Sequence, residues 1–342
     1  MNSRSIKQLK TNTFLKENNI MKAFTRTKYG APEILRFEEV AKPVIKDDHI
    51  LDRIRANSAN PADWHIIRGE PFFARFTFGL FNPGDQYKIP GADFAGIVEA
   101  IGKNVTQFKA GDRVFGETLN GGAFAEWTCV PANVCALMPE GFDFRQMASV
   151  PVAGLTALQA IVTHGKLKKG EKVLINGSSG GVGHFAVQIA KAYGAEVTAV
   201  CSGKNVDFVR SLGAREVISY DTENIHEHNG KYDLVIDVNG NLSHKDFKRM
   251  GQRGVMVGFT TMGHMISVLL NKAVSKFPLA QFTAEANTSD LNMLALLIQE
   301  GKVRPHIEKT FSYKEIPAAI TYIEAMRTRG KVAMVWESDQ NL

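Results

Sequence analysis

Cysteine is scarce in this chain of 342 residues, which contains only Cys129, Cys135 and Cys201. Three cysteines are too few for a disulfide scaffold, and none shows the paired short spacing of a structural zinc site. We therefore expect no metal site and interpret Cys129 and Cys135 as small buried apolar side chains. Free thiols favour a reducing compartment, and we predict the cytoplasm.

Long apolar runs are also missing. The longest candidates, such as residues 293–298, are far shorter than the roughly 20 residues that cross a bilayer. We therefore predict no transmembrane segment. An apolar content of 44% is enough for a large core, and 342 residues allow two domains.

The net charge of +6 is concentrated at the amino terminus. The first twenty residues contain four cations against one acid, namely Arg4, Lys7, Lys10, Lys16 and Glu17. They lack the apolar core of a secretory signal, and Met21 opens a strand-like stretch that looks like the domain start. We predict a disordered extension at residues 1–20, with a targeting peptide as the alternative. The remaining chain has no basic stripe, so nucleic acid is not an expected partner.

Two patterns divide the rest of the chain. Residues 21–134 contain short alternating apolar runs interrupted by Gly and Pro, which is typical of a small β-barrel-like domain. From about residue 148, strand patterns alternate with helical ones, as in EKVLINGS followed by GVGHFAVQIAKAYG. Strands spaced by helices predict a doubly wound parallel sheet, so the fold class is α/β with an added β domain.

A glycine-rich stretch, NGSSGGVG at residues 176–183, separates the strand VLIN from an amphipathic helix. Gly177, Gly180 and Gly183 have a GxxGxxG spacing, a variant of the GxGxxG fingerprint of dinucleotide-binding folds. Glycines here allow a tight turn and let the backbone approach a diphosphate at the positive end of the helix. The strand before and the helix after favour nucleotide binding over a simple turn.

The next strand ends in AVCSGKN, where NAD-binding chains usually place an acid that accepts a hydrogen bond from the ribose 2′-hydroxyl. No acid is present in this stretch. Ser202 and Lys204 supply a hydrogen-bond donor and a positive charge, and Gly203 adds no bulk, which suits a 2′-phosphate. We predict NADPH rather than NADH, with a solvated Lys204 as the alternative interpretation.

Six further motifs, in order, complete a family resemblance. They are NPADWHIIRG (60–69), IPGADFAGIVEAIG (89–102), FKAGDRVFG (108–116), VPVAGLTALQAI (150–161), SLGAREVISY (211–220) and GKVAMVW (330–336). From Met21 to about Trp336 the chain resembles the zinc-independent quinone oxidoreductase branch of the medium-chain dehydrogenase/reductase superfamily, and within it the chloroplast-envelope homologue type.

The resemblance implies a domain organisation. It places a GroES-like substrate domain at residues 21–147 and 288–342 and a Rossmann NADP-binding domain at residues 148–287. An active-site cleft is expected where the two meet. The resemblance also implies a homodimer or homotetramer joined through the Rossmann sheet.

The resemblance bears on chemistry through three positions. Zinc-dependent members hold zinc with Cys, His and Cys, and here the matching residues are Asn60, Ala92 and Val152, which are poor ligands. Without a Lewis acid to stabilise an alkoxide, we expect hydride transfer to a small hydrophobic quinone or α,β-unsaturated carbonyl. A zinc-free NADP-dependent alcohol dehydrogenase and a non-catalytic NADPH-binding redox sensor are the alternatives.

Three residues are candidate catalytic groups: Asn60, Asp63 and Thr156. Asn60 and Asp63 are the main polar residues expected near the cleft, but they also fit the N-cap and N3 positions of a capping box. Thr156 is a candidate only because the resemblance places it beside the nicotinamide. The predicted cofactor contacts, of which the resemblance supplies Tyr220, are Gly177, Ser179, Gly180, Gly181, Val182, Ser202, Gly203, Lys204, Tyr220, Gly258 and Phe259.

Phenylalanine is clustered after the NPADW motif, in RGEPFFARFTFGLF. Pro71 stands where related enoyl-thioester reductases carry a tyrosine, which disfavours fatty enoyl-thioester reduction. An aromatic lid over a hydrophobic acceptor fits better, with core packing as the default alternative. The rings concerned are Phe72, Phe73, Phe76, Phe78, Phe81 and Phe94.

Overall fold

The computed structural model describes residues 19–119, 121–258, 263, 266–268 and 275–336. The predicted disordered extension therefore lies outside the described residues, except for Asn19 and Ile20, and Ile20 already begins the first strand. Strands and helices are numbered here in chain order.

Antiparallel strands from both ends of the chain build the first part of the molecule. β1 and β2 form a pair, and a seven-stranded sheet has the order β14-β15-β3-β4-β5-β7, with β6 pairing with β3. These strands are β1 (Ile20–Thr25), β2 (Arg36–Ala41), β3 (His49–Ala59), β4 (Asp93–Ile101), β5 (Arg113–Glu117), β6 (Trp127–Pro131), β7 (Cys135–Leu137), β14 (Ile307–Ser312) and β15 (Lys331–Val335). The short alternating runs of the sequence thus correspond to antiparallel strands, and the central ones, β3, β4 and β5, are buried along most of their length.

The second sheet consists of six parallel strands in the order β10-β9-β8-β11-β12-β13. Their bounds are β8 (Lys172–Asn176), β9 (Glu196–Cys201), β10 (Glu216–Ser219), β11 (Tyr232–Asp237), β12 (Gly251–Met256) and β13 (Leu279–Gln281). The strand order reverses between β8 and β11, and in such sheets ligands bind beyond the carboxyl ends at this switch point. The two sheets together confirm the predicted α/β fold class.

Helices connect and cover the strands. They are α1 (Pro61–Arg68), α2 (Arg75–Phe78), α3 (Phe144–Ala148), α4 (Pro151–Leu158), α5 (Gly181–Ala192), α6 (Val206–Ser211), α7 (His244–Met250), α8 (Thr288–Gln299) and α9 (Ile316–Glu324). Asn60 is the N-cap of α1, Pro61 its first residue, and Gly69 ends it with a positive φ of 63°. Each residue type suits its position, so local sequence fixes this helix.

The two parts share one apolar core. Ala56 and Phe115 of the antiparallel sheet pack into the same buried cluster as Leu155 of α4 and Ile175 of β8. Continuous packing of this kind resists independent motion of the two sheets. The angle between them is therefore set by buried side chains.

Asp52 differs from the other buried polar side chains of β3, Asn57 and Ser58, which form hydrogen bonds. Its side chain is fully buried, and neither carboxylate oxygen has a hydrogen-bond partner among the described residues. Burial raises the pKa of Asp52 well above its ordinary value, and the charge of Arg55 only partly opposes this shift. A carboxyl group in this position retains its proton in the folded state.

We predict that the contribution of Asp52 to the free energy of unfolding falls as pH rises from about 4, because the unfolded state releases the Asp52 proton while the folded state retains it. Asp52→Asn keeps the shape without an ionisable group, so its stability relative to wild type should increase with pH. Above pH 7 the midpoint temperature of thermal unfolding should be at least about 2 °C higher for Asp52→Asn than for wild type. Thermal unfolding measured between pH 4 and 9 tests this expectation. Asp207→Asn, at a 99% exposed side chain, is the matched control. Parallel pH profiles for Asp52→Asn and wild type would contradict the prediction.

Candidate functional site

The glycine turn lies at the carboxyl edge of β8, at the switch point of the parallel sheet. Gly177 has a φ of +87°, which favours glycine. A Cβ on Gly183 would lie 2.0 Å from the carbonyl oxygen of Gly177, so the turn closes only because residue 183 has no side chain. These two glycines are required by the fold itself.

Gly180 differs from its neighbours because a side chain there would meet open space. It is the N-cap of α5, with a φ of −81°, and the nearest atom to an added Cβ is the Gly177 carbonyl oxygen at 3.7 Å. The first backbone N–H groups of a helix have no partner within it, and those of α5 start directly after Gly180. A helix N-terminus with room in front of it fits the diphosphate of a dinucleotide.

Residues from the carboxyl-terminal part of the chain hold the turn in place. The backbone N–H of Gly330 donates to the Ser179 carbonyl oxygen at 2.9 Å. The backbone N–H of His306 donates to Nε2 of the buried His184 at 3.3 Å. Burial lowers the pKa of His184 to about 3, so this ring is neutral and Nε2 can accept. The glycine turn is thereby tied to the segments beside β14 and β15.

The end of β9 contains the predicted 2′-phosphate residues. Ser202 is buried, and Lys204 is exposed one residue beyond Gly203. Arg329, which the sequence analysis did not single out, joins them: its Nε donates to Asn205 Oδ1 at 3.2 Å and its guanidinium donates to the Lys204 carbonyl oxygen at 3.4 Å. Two cations therefore lie at this end of the turn.

An acid also lies there, contrary to the expectation from AVCSGKN. Asp221 follows β10, and its Oδ2 accepts a hydrogen bond from the Gly203 backbone N–H at 2.6 Å. The sequence directly after β9 contains no acid. The parallel neighbour β10 ends at the same edge of the sheet and brings Asp221 to this place. Tyr220 is 52% exposed beside it.

A buried polar cluster connects β3, α1, β4 and β15. The Lys331 ammonium lies 3.3 Å from Asp93 Oδ2 and donates to Asn60 Oδ1 at 2.5 Å. Asp93 also accepts from Asn60 Nδ2 at 2.8 Å and from the Val152 backbone N–H at 2.8 Å. Lys331 and Asp93 are 3% and 0% exposed, so the ion pair is dry.

Two further carboxyl groups border this cluster. Asp63 accepts from the Asn60 backbone N–H at 2.8 Å, as an N3 residue of a capping box does. Burial and the charge of Asp93 raise the pKa of Asp63 to about 7. Burial raises the pKa of Glu117 to about 8, with the Asp93 charge adding to the shift. Near neutral pH Glu117 is thus mostly protonated and Asp63 is divided between its two protonation states.

The predicted catalytic residues are largely engaged in hydrogen bonds. Asn60 Oδ1 accepts from the Lys331 ammonium, and one N–H of Asn60 Nδ2 donates to Asp93, so both polar atoms of this amide are held within the cluster. Thr156 Oγ1 donates to the Val152 carbonyl oxygen at 2.6 Å and is half-buried. Asp63 lines a small pocket together with Tyr87 and Leu119.

The remaining predicted contacts fall at the carboxyl edge or outside the described residues. Val182 and Gly181 begin α5, and Gly258 follows β12, where an added Cβ would lie 2.9 Å from the Val238 carbonyl oxygen. Phe259 lies outside the described residues. The structure thus brings Gly258 and the glycine turn to the same edge of the sheet.

The phenylalanine cluster divides into two groups. Phe94 is fully buried in the core of the antiparallel sheet, so its predicted place in a lid is wrong. Phe78 packs edge-on against Tyr87 with ring centroids 5.1 Å apart. Four rings are between 46% and 83% exposed, namely Phe72, Phe73, Phe76 and Phe81. Phe72 and Phe76 contact each other edge-on, with ring centroids 6.3 Å apart.

Comparison with known proteins gives two family matches. Residues 46–140 match the alcohol dehydrogenase GroES-like domain, and residues 212–334 match the zinc-binding dehydrogenase family. The chain is 33% identical over 304 residues to the chloroplast envelope quinone oxidoreductase homolog of Arabidopsis thaliana, covering 84% of this chain and 90% of the relative.

Two further proteins are similar. The chain is 32% identical over 329 residues to the chloroplastic NADPH-dependent alkenal/one oxidoreductase of Arabidopsis thaliana, covering 92% of this chain and 79% of the relative. The quinone oxidoreductase structure from Coxiella burnetii superposes with a TM-score of 0.82 at 30% identity, covering 92% and 99% of the two chains. The chain belongs to the quinone oxidoreductase branch of the medium-chain dehydrogenase/reductase superfamily.

Within this superfamily the residues at the catalytic-metal positions do not fit zinc. Asn60 is committed to Asp93 and Lys331, Ala92 has no ligand atom, and Val152 offers only its backbone. Asp93, the carboxylate next to them, is already paired with the Lys331 ammonium at 3.3 Å. Where the structure is described, no group of three or more His, Cys, Asp or Glu could hold a metal.

The sequence predicted no transmembrane segment and a cytoplasmic location. No helix among the described residues is long and apolar enough to cross a bilayer. The two plant relatives in this superfamily carry chloroplast names, so the comparisons do not support the cytoplasmic prediction. The three cysteines are free thiols, of which Cys135 and Cys201 are buried.

We predict that Gly180→Ala leaves the medium-chain reductase fold intact but weakens dinucleotide binding at least about tenfold. The added methyl group meets no protein atom closer than 3.7 Å but projects into the space assigned to the diphosphate. Quenching of tryptophan fluorescence by NADPH gives the dissociation constant, and thermal unfolding monitors the fold.

Two variants serve as references for this prediction. Gly84→Ala also meets nothing closer than 3.6 Å, away from the turn, and should change neither measurement. Gly183→Ala should lower the unfolding midpoint, because its methyl group would overlap the Gly177 carbonyl oxygen. Wild-type affinity in Gly180→Ala would show that the diphosphate lies elsewhere.

Proposed function

We propose that the protein is a zinc-independent, NADPH-dependent reductase of quinones or α,β-unsaturated carbonyl compounds. One observation carries this proposal: Asn60, which the family resemblance matches to a zinc ligand, is bound in a buried cluster with Lys331 and Asp93, and Gly330, next to that lysine, bonds the glycine turn. The site therefore combines a dinucleotide cradle with a fixed ammonium group. This combination suits acceptors that are already activated for hydride addition.

The residues of the chain would act mainly by positioning and by electrostatics. When bound, the nicotinamide supplies the hydride, and an activated acceptor needs no metal to take it. The Ala59 carbonyl oxygen, Asn60 Oδ1 and Asp93 occupy the three donors of the Lys331 ammonium. The ammonium would therefore act on an acceptor oxygen through its electric field and not by a hydrogen bond, and the Asp93 carboxylate offsets part of its charge. Within the same buried region, Glu117 is mostly protonated and Asp63 partly protonated near neutral pH.

We assign different roles to the three candidate catalytic residues. Asn60 is a positioning residue, because both of its amide atoms are bound within the cluster. Asp63 caps α1 and lines the pocket, and Thr156 is the half-buried hydroxyl group assigned to the nicotinamide side. The cofactor contacts remain those proposed from the sequence, with Arg329 added.

The preference for NADPH follows from charge at the β9 end. Lys204 and Arg329 provide two cations for a 2′-phosphate, and Ser202 provides a hydroxyl donor. The name of the alkenal/one oxidoreductase relative specifies the same cofactor for that protein. The exposed rings of Phe76 and Phe81 favour a hydrophobic acceptor.

The proposal includes an organisation of the chain. Residues 21–147 and 288–342 would form the substrate domain, and residues 148–287 the NADP-binding domain. A homodimer or homotetramer would form through the β13 side of the parallel sheet, where β13 is the last strand in the order.

A panel of acceptors tests the proposed function. Oxidation of NADPH, followed at 340 nm, should occur with quinones and with enals or enones, and kcat/KM should be at least about tenfold higher than with NADH. Pretreatment with a metal chelator should not change these rates. An alcohol with NADP⁺ should give no reduction, since nothing in the described site stabilises an alkoxide as zinc does. Absence of turnover with every acceptor would refute the proposal and favour a non-catalytic sensor.

A further inference from the structure

The carboxylate of Asp221 occupies a position that a cofactor phosphate would also seek. Asp221 Oδ2 lies 2.6 Å from the Gly203 backbone nitrogen, and a Cβ on Gly203 would lie 3.1 Å from the same oxygen. The Asp221 backbone N–H donates to Ser219 Oγ at 3.3 Å, which orients the start of this loop. An anionic oxygen thus already accepts from a backbone donor at the β9 end.

This position corresponds to the ribose end of a dinucleotide site. In doubly wound sheets the ribose of the adenosine half lies beyond the carboxyl end of the second strand, which is β9 here. An acid at that place accepts a hydrogen bond from a 2′-hydroxyl and repels a 2′-phosphate. Asp221 provides such an acid from β10, although the sequence after β9 contains none.

The charges around the position oppose one another. Lys204 and Arg329 attract a 2′-phosphate, and the Arg329 guanidinium donates to the Lys204 carbonyl oxygen at 3.4 Å. The negative charge of Asp221 weakens that attraction. Asp221 also accepts the hydrogen bond of the Gly203 N–H, which a phosphate oxygen could otherwise accept. The preference between the two cofactors is then a balance of two cations against one anion.

The Asp221 carboxylate is not required to close the local turn. The turn after Ser202 is closed by the Asn205 backbone N–H, which donates to the Ser202 carbonyl oxygen at 2.9 Å. Asp221 itself is exposed, so its replacement creates no cavity. A role in selecting the cofactor explains its placement better than a role in folding.

We propose that Asp221 is a specificity-determining residue that weakens the preference for NADPH over NADH by opposing the 2′-phosphate at Gly203. This inference rests on the proposed nicotinamide site. It predicts that the protein retains measurable use of NADH and that removal of one carboxylate makes it more selective for NADPH.

Two variants separate the charge from the hydrogen bond. Asp221→Asn keeps an oxygen that can accept from Gly203 but removes the charge, whereas Asp221→Ala removes both. Calorimetric titration with 2′,5′-ADP and 5′-AMP measures binding without turnover. We expect at least about a fivefold gain in affinity for 2′,5′-ADP in Asp221→Asn, a larger gain in Asp221→Ala, and no gain for 5′-AMP.

A matched control removes a nearby charge that does not contact Gly203. Asp207 is four residues further along the chain at a 99% exposed side chain, paired with Arg210 at 3.2 Å. Asp207→Asn and Asp207→Ala should leave the ratio of the two affinities within about twofold of wild type, because exposed charges are screened. If the ratio of the two affinities changes equally in the Asp207 and Asp221 variants, general surface charge explains the effect and the inference is overturned.

The remaining outcomes are also decisive. Unchanged 2′,5′-ADP affinity in both Asp221 variants, or an equal gain for 5′-AMP, would overturn the inference. If the affinities shift as expected but no acceptor is reduced, the inference stands and the proposed catalytic function fails. If neither fragment binds the wild-type protein or the variants, both fall.

Discussion

The buried ion pair between Lys331 and Asp93 is the interaction on which the site depends. A lysine that is 3% exposed is tolerated only because a carboxylate, an amide oxygen and a backbone carbonyl surround its ammonium group. These partners come from β3, the N-cap of α1 and the start of β4. Lys331 begins β15 directly after Gly330, which bonds the glycine turn. The pair therefore fixes the antiparallel sheet relative to the proposed cofactor cradle.

This arrangement relates the chain to its metal-dependent relatives in physical terms. At the position that the family resemblance matches to a zinc ligand, this chain has Asn60, whose amide oxygen holds the buried Lys331 ammonium. A fixed positive charge can assist an oxygen that gains negative charge, but it lacks the ligand exchange that lets zinc bind an alkoxide. Reduction of an activated acceptor is consistent with these properties, and oxidation of an alcohol is not.

Much of the fold could be predicted because its signals are local. The strand before the glycines, the amphipathic helix after them and the capping residues of α1 lie within short stretches, and the structure has them at those positions.

The roles of Lys331, Asp221 and Arg329 could not be predicted, because each depends on partners far away in sequence. The lysine that begins the otherwise apolar strand KVAMV indicates an unusual buried charge, but the sequence does not show its partners. Phe94 was misassigned because it was grouped with the rings of residues 72–81, whereas it belongs to β4, whose first four residues are all buried.

The measurement that tests this account most directly is a double-mutant cycle on Lys331 and Asp93, followed through the free energy of unfolding in urea. Lys331→Met alone should cost about 3–5 kcal/mol, because it leaves a buried carboxylate without its counterion. Combining it with Asp93→Asn should cost much less than the sum of the two single changes, with a coupling of at least about 1 kcal/mol. Additive losses would contradict the account, since they would mean that the two charges do not stabilise each other.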